Sequence, residues 1–357
     1  MNTNIFLVES PFQILCAIEA NEYFNRDRSI LVIKSVPDTN SNNLMKWLVN
    51  NFYNNWDRVI FCNLQNYTLR DIFFMNLIRK IKRENKINYI FVGYPETRNF
   101  QWFCEKLEHN GCFLLDDGTR TILLQNRYMY YKNYLQKSDN LDIQSINFVN
   151  LVNKTKNILK LFLIHCIFGL NNTKKIKYDM FSCFNIKLND EQKFIQNSFN
   201  YIKQRFEKFT ILQNIVYFYG SPLYEAEIIS LENEIYFLKE IYNYYKNSNK
   251  KMIYIPHRVD STKKIEEIKN FCDVKYSTTI AEIEPIINQQ LSNEIAAFSS
   301  TILFTLPKIY PIKRVVSFKF DEKYILREDR KESISEIYTQ LERENVLIKT
   351  LSRNKNG

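Results

Sequence analysis

Short apolar runs alternate with helix-patterned segments through the first third of the chain, and this alternation constrains the fold more than any other feature. The runs cover residues 5–8, 30–33, 59–61, 87–92 and 112–115, and helical spacing of apolar residues covers 12–19, 43–52, 69–84 and 99–109. Strands joined by helices of about ten or more residues form a parallel sheet, because each crossover must bring the chain back to the same end. Ser10 is a good N-cap and Pro11 already has the φ of a first helical residue. The first strand therefore feeds directly into a capped helix, whose amides point toward a ligand crevice.

The alternation fails between residues 123 and 209, a stretch rich in Tyr, Asn and Lys that reads as irregular structure with helices. It resumes with strands at 215–219, 252–255, around 274, 294–298 and 315–318, and helices at 231–245, 264–270 and 281–291. Ser333 and Glu336 form a capping box that opens a final helix to about residue 351. A length of 357 residues fits two domains at roughly 150 residues each. The expected architecture is α/β, with two Rossmann-like halves, 1–205 and 206–357, facing each other across a cleft.

Seven cysteines without CxxC pairs or metal-ligand spacing read as reduced and buried, in a cytosolic protein. The N-terminus lacks the pattern of a signal peptide, and the longest apolar run, 161–170, contains His165 and is about half a membrane span. The net charge of +10 is scattered, with no recognised nucleic-acid motif, which disfavours nucleic acid as the partner. An anionic membrane surface or an acidic sugar nucleotide fits it better. Residues 153–170, followed by Lys174, Lys175 and Lys177, form a segment suited either to a membrane face or to a core helix with snorkelling lysines.

Asp116, Asp117 and Gly118 end the strand at 112–115 and are expected to face the crevice. Two adjacent carboxylates repel, so one should hold its proton more tightly, as suits a general base. A plain Asp-Gly turn would use the same residues. Only six glycines occur, where average usage of roughly 7% would give about twenty-five. Gly93, Gly118 and Gly220 each sit just past an apolar run, where a chain turns tightly or lets a ligand approach its backbone.

Three further signals follow strands of the second half. Gly220 and Ser221 offer backbone amides to a phosphate or sugar, with Glu225 nearby as a second candidate base. His257 emerges from its strand into the cleft, where it can donate to a departing phosphate, and Arg258 adds fixed charge. His109, after a charged helix, reads as exposed, and His165 as core. Ser299, Ser300 and Thr301 stand at a helix start, which suits either an anion or simple capping.

Together these pieces resemble the bacterial sialyltransferases of the GT-B fold, most closely glycosyltransferase family 52, the lipooligosaccharide sialyltransferases. The matching segments are Phe113 to Thr119, Gly220-Ser-Pro222, Tyr254 to Arg258, Ile283-Glu284 and Phe298 to Thr301. The resemblance implies a CMP-sialic acid donor, inversion at the anomeric carbon, and no metal or resident cofactor. It places the family's histidine on His257, its phosphate-binding hydroxyls on Ser299 and Ser300, and its nucleotide-contacting glutamate on Glu284. In two places the chain departs from the pattern: no proline follows His257, and Leu223 stands where some members carry the catalytic Asp. Asp117 is therefore the first choice of base, with Asp116 and Glu225 behind it.

The expected enzyme extends a bacterial surface glycan, lipooligosaccharide or capsule, at the inner face of the cytoplasmic membrane, and a homodimer is compatible with it. Rival readings are another CMP-linked nonulosonic acid, a hexose nucleotide donor, and a non-catalytic glycan-assembly protein. Convergence of Asp117, Glu225 and His257 on one cleft is the discriminating observation, and the enzyme reading fails without it.

Overall fold

The computed structural model describes residues 2–24, 27–51, 56–135, 176–205 and 209–352. Two wholly parallel sheets organise them. The first holds β1 (Asn2–Val8), β2 (Arg28–Lys34), β3 (Arg58–Cys62), β4 (Lys86–Val92), β5 (Gly111–Leu115), β6 (Tyr178–Ser182) and β7 (Phe194–Gln196), in the order 3-2-1-4-5-6-7. The second holds β8 (Thr210–Tyr219), β9 (Lys251–Ile255), β10 (Asp273–Val274), β11 (Gln290–Ala297), β12 (Arg314–Phe320) and β13 (Leu347–Leu351), in the order 10-9-8-11-12-13. Each sheet reverses its strand order beside its first strand, which opens a crevice at the carboxyl ends of the strands. The two Rossmann-like halves expected from the alternation are present.

Burial explains why β1 reads as one apolar run. Ile5, Phe6, Leu7 and Val8 are all fully buried, covered on both faces. Phe6 stacks on Phe91 of β4 at 4.5 Å, and Phe91 stacks on Phe113 of β5 at 5.3 Å. Each such ring removed from water contributes about 1.5–3 kcal/mol.

Three expectations about elements are corrected. The stretch 123–205 is not simply irregular and helical, because β6 and β7 extend the first sheet. β6 reads Tyr-Asp-Met-Phe-Ser and pairs with β5, so no apolar run announces it. The helix expected over 281–291 shrinks to Glu284–Asn288, because Gln289 takes a left-handed φ of 51° and turns the chain into β11. The final helix, Glu328–Arg343, starts ahead of Ser333 and has Arg327 as its N-cap, so Ser333 and Glu336 lie inside it. It stops before Asn345, whose φ is 58°, and the second half ends on strand β13, not on a helix.

The six described cysteines are free and buried. Among the described residues no helix is long and apolar enough to cross a membrane. The segment 153–170, with His165, Cys166, Lys174 and Lys175, lies outside the described residues. The two halves touch directly. Lys308 Nζ donates to the Cys183 carbonyl at 2.6 Å, and Gln340 of the last helix donates to the Asn185 carbonyl at 2.7 Å.

Candidate active site

A cleft of about 710 Å³ opens between the carboxyl ends of the two sheets. Ser10, Asp117 and Gly118 line it from the first half, and Gly220, His257, Arg258, Ser300 and Thr301 from the second.

Asp116 and Asp117 are adjacent in sequence and opposite in fate. Strand alternation sends their side chains to different faces. Asp116 is completely buried, accepting the Ser182 hydroxyl at 2.5 Å and the Cys183 N–H at 2.7 Å. It ties β5 to the end of β6 and is not a cleft residue, which removes it as a candidate base. Burial pushes its pKa up to about 6. Asp117 faces the cleft, and burial raises its pKa too, against the pull of Gln13, Arg120 and Arg258. The expected cause, repulsion between the two carboxylates, is not what shifts either group; desolvation is.

Asp117 is held from one side. Its Oδ1 accepts from Gln13 Nε2 at 2.7 Å and lies 3.5 Å from the Ser10 hydroxyl, while its backbone N–H donates to Thr121 Oγ1 at 2.7 Å. Gln13 Oε1 accepts the Glu9 N–H at 2.8 Å, which fixes the amide so that its NH2 must face the carboxylate. Ser10 caps the helix Pro11–Tyr23 as expected, accepting from the Gln13 N–H at 3.3 Å.

The three singled-out glycines make room for protein side chains rather than for a ligand. A Cβ at Gly93 would sit 2.2 Å from Gln13 Oε1, and one at Gly220 would sit 2.3 Å from the Tyr254 hydroxyl. Gly118 has φ +63°, and its Cβ would meet Thr301 Oγ1 of the other half at 2.6 Å. That same hydroxyl accepts the Thr119 N–H at 3.0 Å, joining the two rims of the cleft.

On the opposite wall, His257 Nδ1 accepts the Val259 N–H at 3.4 Å, so Nε2 carries the proton of the neutral ring. Burial lowers the His257 pKa, with Arg258 and Lys264 acting the same way against Asp260. The ring is thus a neutral donor at neutral pH. Glu225 does not reach the cleft. Its carboxylate accepts the Ser261 N–H at 2.8 Å and pairs with Lys264 at 3.4 Å, so it is withdrawn as a base. The expected three-way convergence is therefore not met: Asp117 and His257 line the cleft and Glu225 does not, so that three-residue criterion for an enzyme fails as it was set.

Ser300 and Thr301 line the cleft ahead of the helix Ile302–Ile309, whereas Ser299 is half-buried just outside the lining. Ser221 is buried, with its carbonyl on Lys264 Nζ at 2.8 Å. Glu284 is turned to Lys275 at 3.1 Å, and the glutamate that lines the cleft is Glu282. Glu282 accepts the Thr305 hydroxyl at 2.7 Å, and burial raises its pKa. Beside it in the same wall, Thr279 Oγ1 is buried with no hydrogen-bond partner. His109 is half-buried, bonded to the Cys104 carbonyl at 3.0 Å, rather than exposed.

Gln13, Glu282 and Lys264 were not legible as site residues. Gln13 had a signal, since Ser10-x-x-Gln13 is the spacing of a capping box. Glu282 had none, because one turn of irregular chain decides whether residue 282 or 284 faces inward.

The architecture recurs in solved structures. A Photobacterium phosphoreum α/β-galactoside α-2,3-sialyltransferase superposes with a TM-score of 0.51 at 10% identity, over 97% of this chain and 98% of its own. A Listeria monocytogenes protein described as a UDP-N-acetylglucosamine 2-epimerase also gives 0.51 at 10% identity, over 93% of this chain and 81% of its own. Likeness at that identity establishes the GT-B fold and no more. No curated protein sequence matches the chain. A family model does, along nearly all of the first half and about three quarters of the second: over residues 4–319 the chain matches, and so belongs to, the alpha-2,8-polysialyltransferase (POLYST) family of glycosyltransferases.

Proposed function

We propose that this chain transfers sialic acid from CMP-sialic acid to a hydroxyl of a bacterial surface glycan, lipooligosaccharide or capsule, with inversion. The observation that carries the reading is the meeting of a carboxylate and a neutral, donating imidazole on opposite walls of one cleft. Asp117 takes the proton of the acceptor hydroxyl on Oδ2, the oxygen left without a donor among the described residues. The acceptor oxygen forms a bond to C2 of the sugar as the bond from C2 to the phosphate oxygen breaks, its electron pair leaving with CMP. His257 Nε2–H and the Arg258 charge meet the developing phosphate charge, with the helix start at Ser300. The reading requires no resident cofactor. The wall carrying Thr279 and Glu282 offers polar atoms to the nucleoside.

Contact with an anionic membrane surface is part of the same reading. It is supported by the net charge of +10 and by the helix Tyr67–Glu84, which exposes Leu69 and Ile72 ahead of Arg79, Lys80, Lys82 and Arg83.

Thermal shift with CMP, UDP and GDP, on wild type and His257→Ala, tests the donor. Stabilisation by CMP, lost in the variant, is the expected result. Stabilisation by UDP instead would move the chain toward the hexose-nucleotide reading, and no response to any nucleotide would favour a non-catalytic glycan-assembly role.

A further inference from the structure

A fully buried lysine stands behind the His257 loop. Lys264 Nζ lies 2.5 Å from Glu234, 3.0 Å from Asp260 and 3.4 Å from Glu225, and donates to the Ser221 carbonyl at 2.8 Å. It is the third residue of the helix Thr262–Lys269, where the helix dipole disfavours a cation. Burial also works against its charge, and the three carboxylates outweigh both effects, holding its pKa above that of a free lysine. A solvated lysine would satisfy the same helix position at no such cost, so the burial calls for a reason.

The contacts of Asp260 supply that reason. Its Oδ1 is held by Lys264, and its Oδ2 accepts both the Tyr254 hydroxyl at 2.7 Å and the His257 backbone N–H at 2.8 Å. The loop closes on itself through Asp260 N–H to the His257 carbonyl at 2.9 Å. On its other side Lys264 grips the chain just after β8, where Gly220 gives the room that Tyr254 and Asp260 occupy. One ammonium group thus joins two cleft-lining loops and touches neither the cleft nor its contents.

We propose that Lys264 is a positioning residue. Through Asp260 it locks the loop bearing His257 and Arg258 against the Gly220–Ser221 loop, and so sets where the His257 imidazole stands in the cleft. The functional part of this inference rests on the CMP-donor reading; the structural part does not.

The test measures CMP affinity together with the side-chain titration of His257, followed by NMR on full-length protein carrying labelled histidine. His109 and His165 serve as internal references. The charged groups near His257 are Asp260, Arg258, Lys264 and Glu225. In Lys264→Met, CMP binding weakens by about tenfold or more and the His257 midpoint moves up, because a nearby cation has gone. In Asp260→Asn the midpoint moves down, because a nearby anion has gone. Ile241→Ala, a cavity in the same half, controls for general destabilisation and leaves both readings unchanged. If Lys264→Met does not fold, Asp260→Asn decides. Unmoved His257 signals in a folded variant overturn the proposal, as does an equal loss of affinity in Ile241→Ala. If wild type does not bind CMP while the His257 ring chemical shifts, compared at one protonation state, move in both variants and not in Ile241→Ala, the donor reading falls and the positioning role stands.

Discussion

At the end of β5 a carboxylate is held by neutral donors, whereas at the end of β9 an imidazole is held by a buried cluster of charges. The two loops leave sheets that share one strand order over six strands, the first sheet adding β7, and face the same cleft. Asp117 is positioned by an amide and a hydroxyl that leave its charge largely its own, as a proton acceptor requires. His257 is positioned through its backbone by Asp260, so its ring stays free to donate. Positioning a base with full charges would depress or exaggerate its basicity. Positioning a loop through its main chain leaves both ring nitrogens out of the charged cluster's hydrogen bonds, so those charges reach the imidazole only through space.

The largest effect expected from breaking this contrast is at Asp117. Asp117→Asn should lower kcat by about 10²–10⁴-fold, the range of general base catalysis, and leave CMP affinity at its wild-type value. A parallel loss of nucleotide affinity would place Asp117 on the donor side and erase the division of labour.

Asp116 gives the next largest effect, and in stability rather than turnover. Asp116→Ala leaves the Ser182 hydroxyl and the Cys183 N–H unmet, at about 1–3 kcal/mol for each buried group, read as a fall in Tm. Because burial raises the folded pKa of Asp116 to about 6, above the ordinary 3.8, its contribution to stability is present below about pH 4 and is lost as pH rises through about 6. Asp116→Asn should flatten that part of the Tm–pH profile relative to wild type. Identical profiles would show that Asp116 is not the group titrating there.

Gln13→Ala sharpens the comparison with a smaller change. Losing one hydrogen bond to a charged acceptor should cost on the order of tenfold in kcat. Gln13 lowers the pKa of Asp117, so its removal moves the acidic limb of the kcat/KM profile to higher pH. A drop in rate with an unmoved limb would mean that Gln13 acts on the fold alone.

The smallest effect is expected at the rim. Gly118→Ala meets a φ of +63° and the Thr301 hydroxyl at 2.6 Å, and should cost roughly 1–2 kcal/mol in stability. Pairing it with Thr301→Ala, which removes that hydroxyl, separates backbone strain from the clash, since strain alone survives the smaller neighbour.

Local chemistry was enough to determine much of this protein. The apolar runs of β1, β4 and β5 declare themselves because a strand covered on both faces must be apolar throughout. Ser10 and Pro11 announce their helix because capping is a contest among near neighbours. Asp117, His257 and the Ser300–Thr301 turn were legible because ligands bind where such strands end. Tertiary structure decided the rest. Edge strands β7 and β13 and the polar β6 carry no run of their own and exist through the neighbours they pair with. Which of two adjacent aspartates faces the cleft follows from strand register, and which of Glu282 and Glu284 does follows from an irregular turn. Glu225 reads as a base beside Gly220 until a lysine some forty residues on claims it. Pairing of that kind depends on distances through space, and a sequence records only distances along the chain.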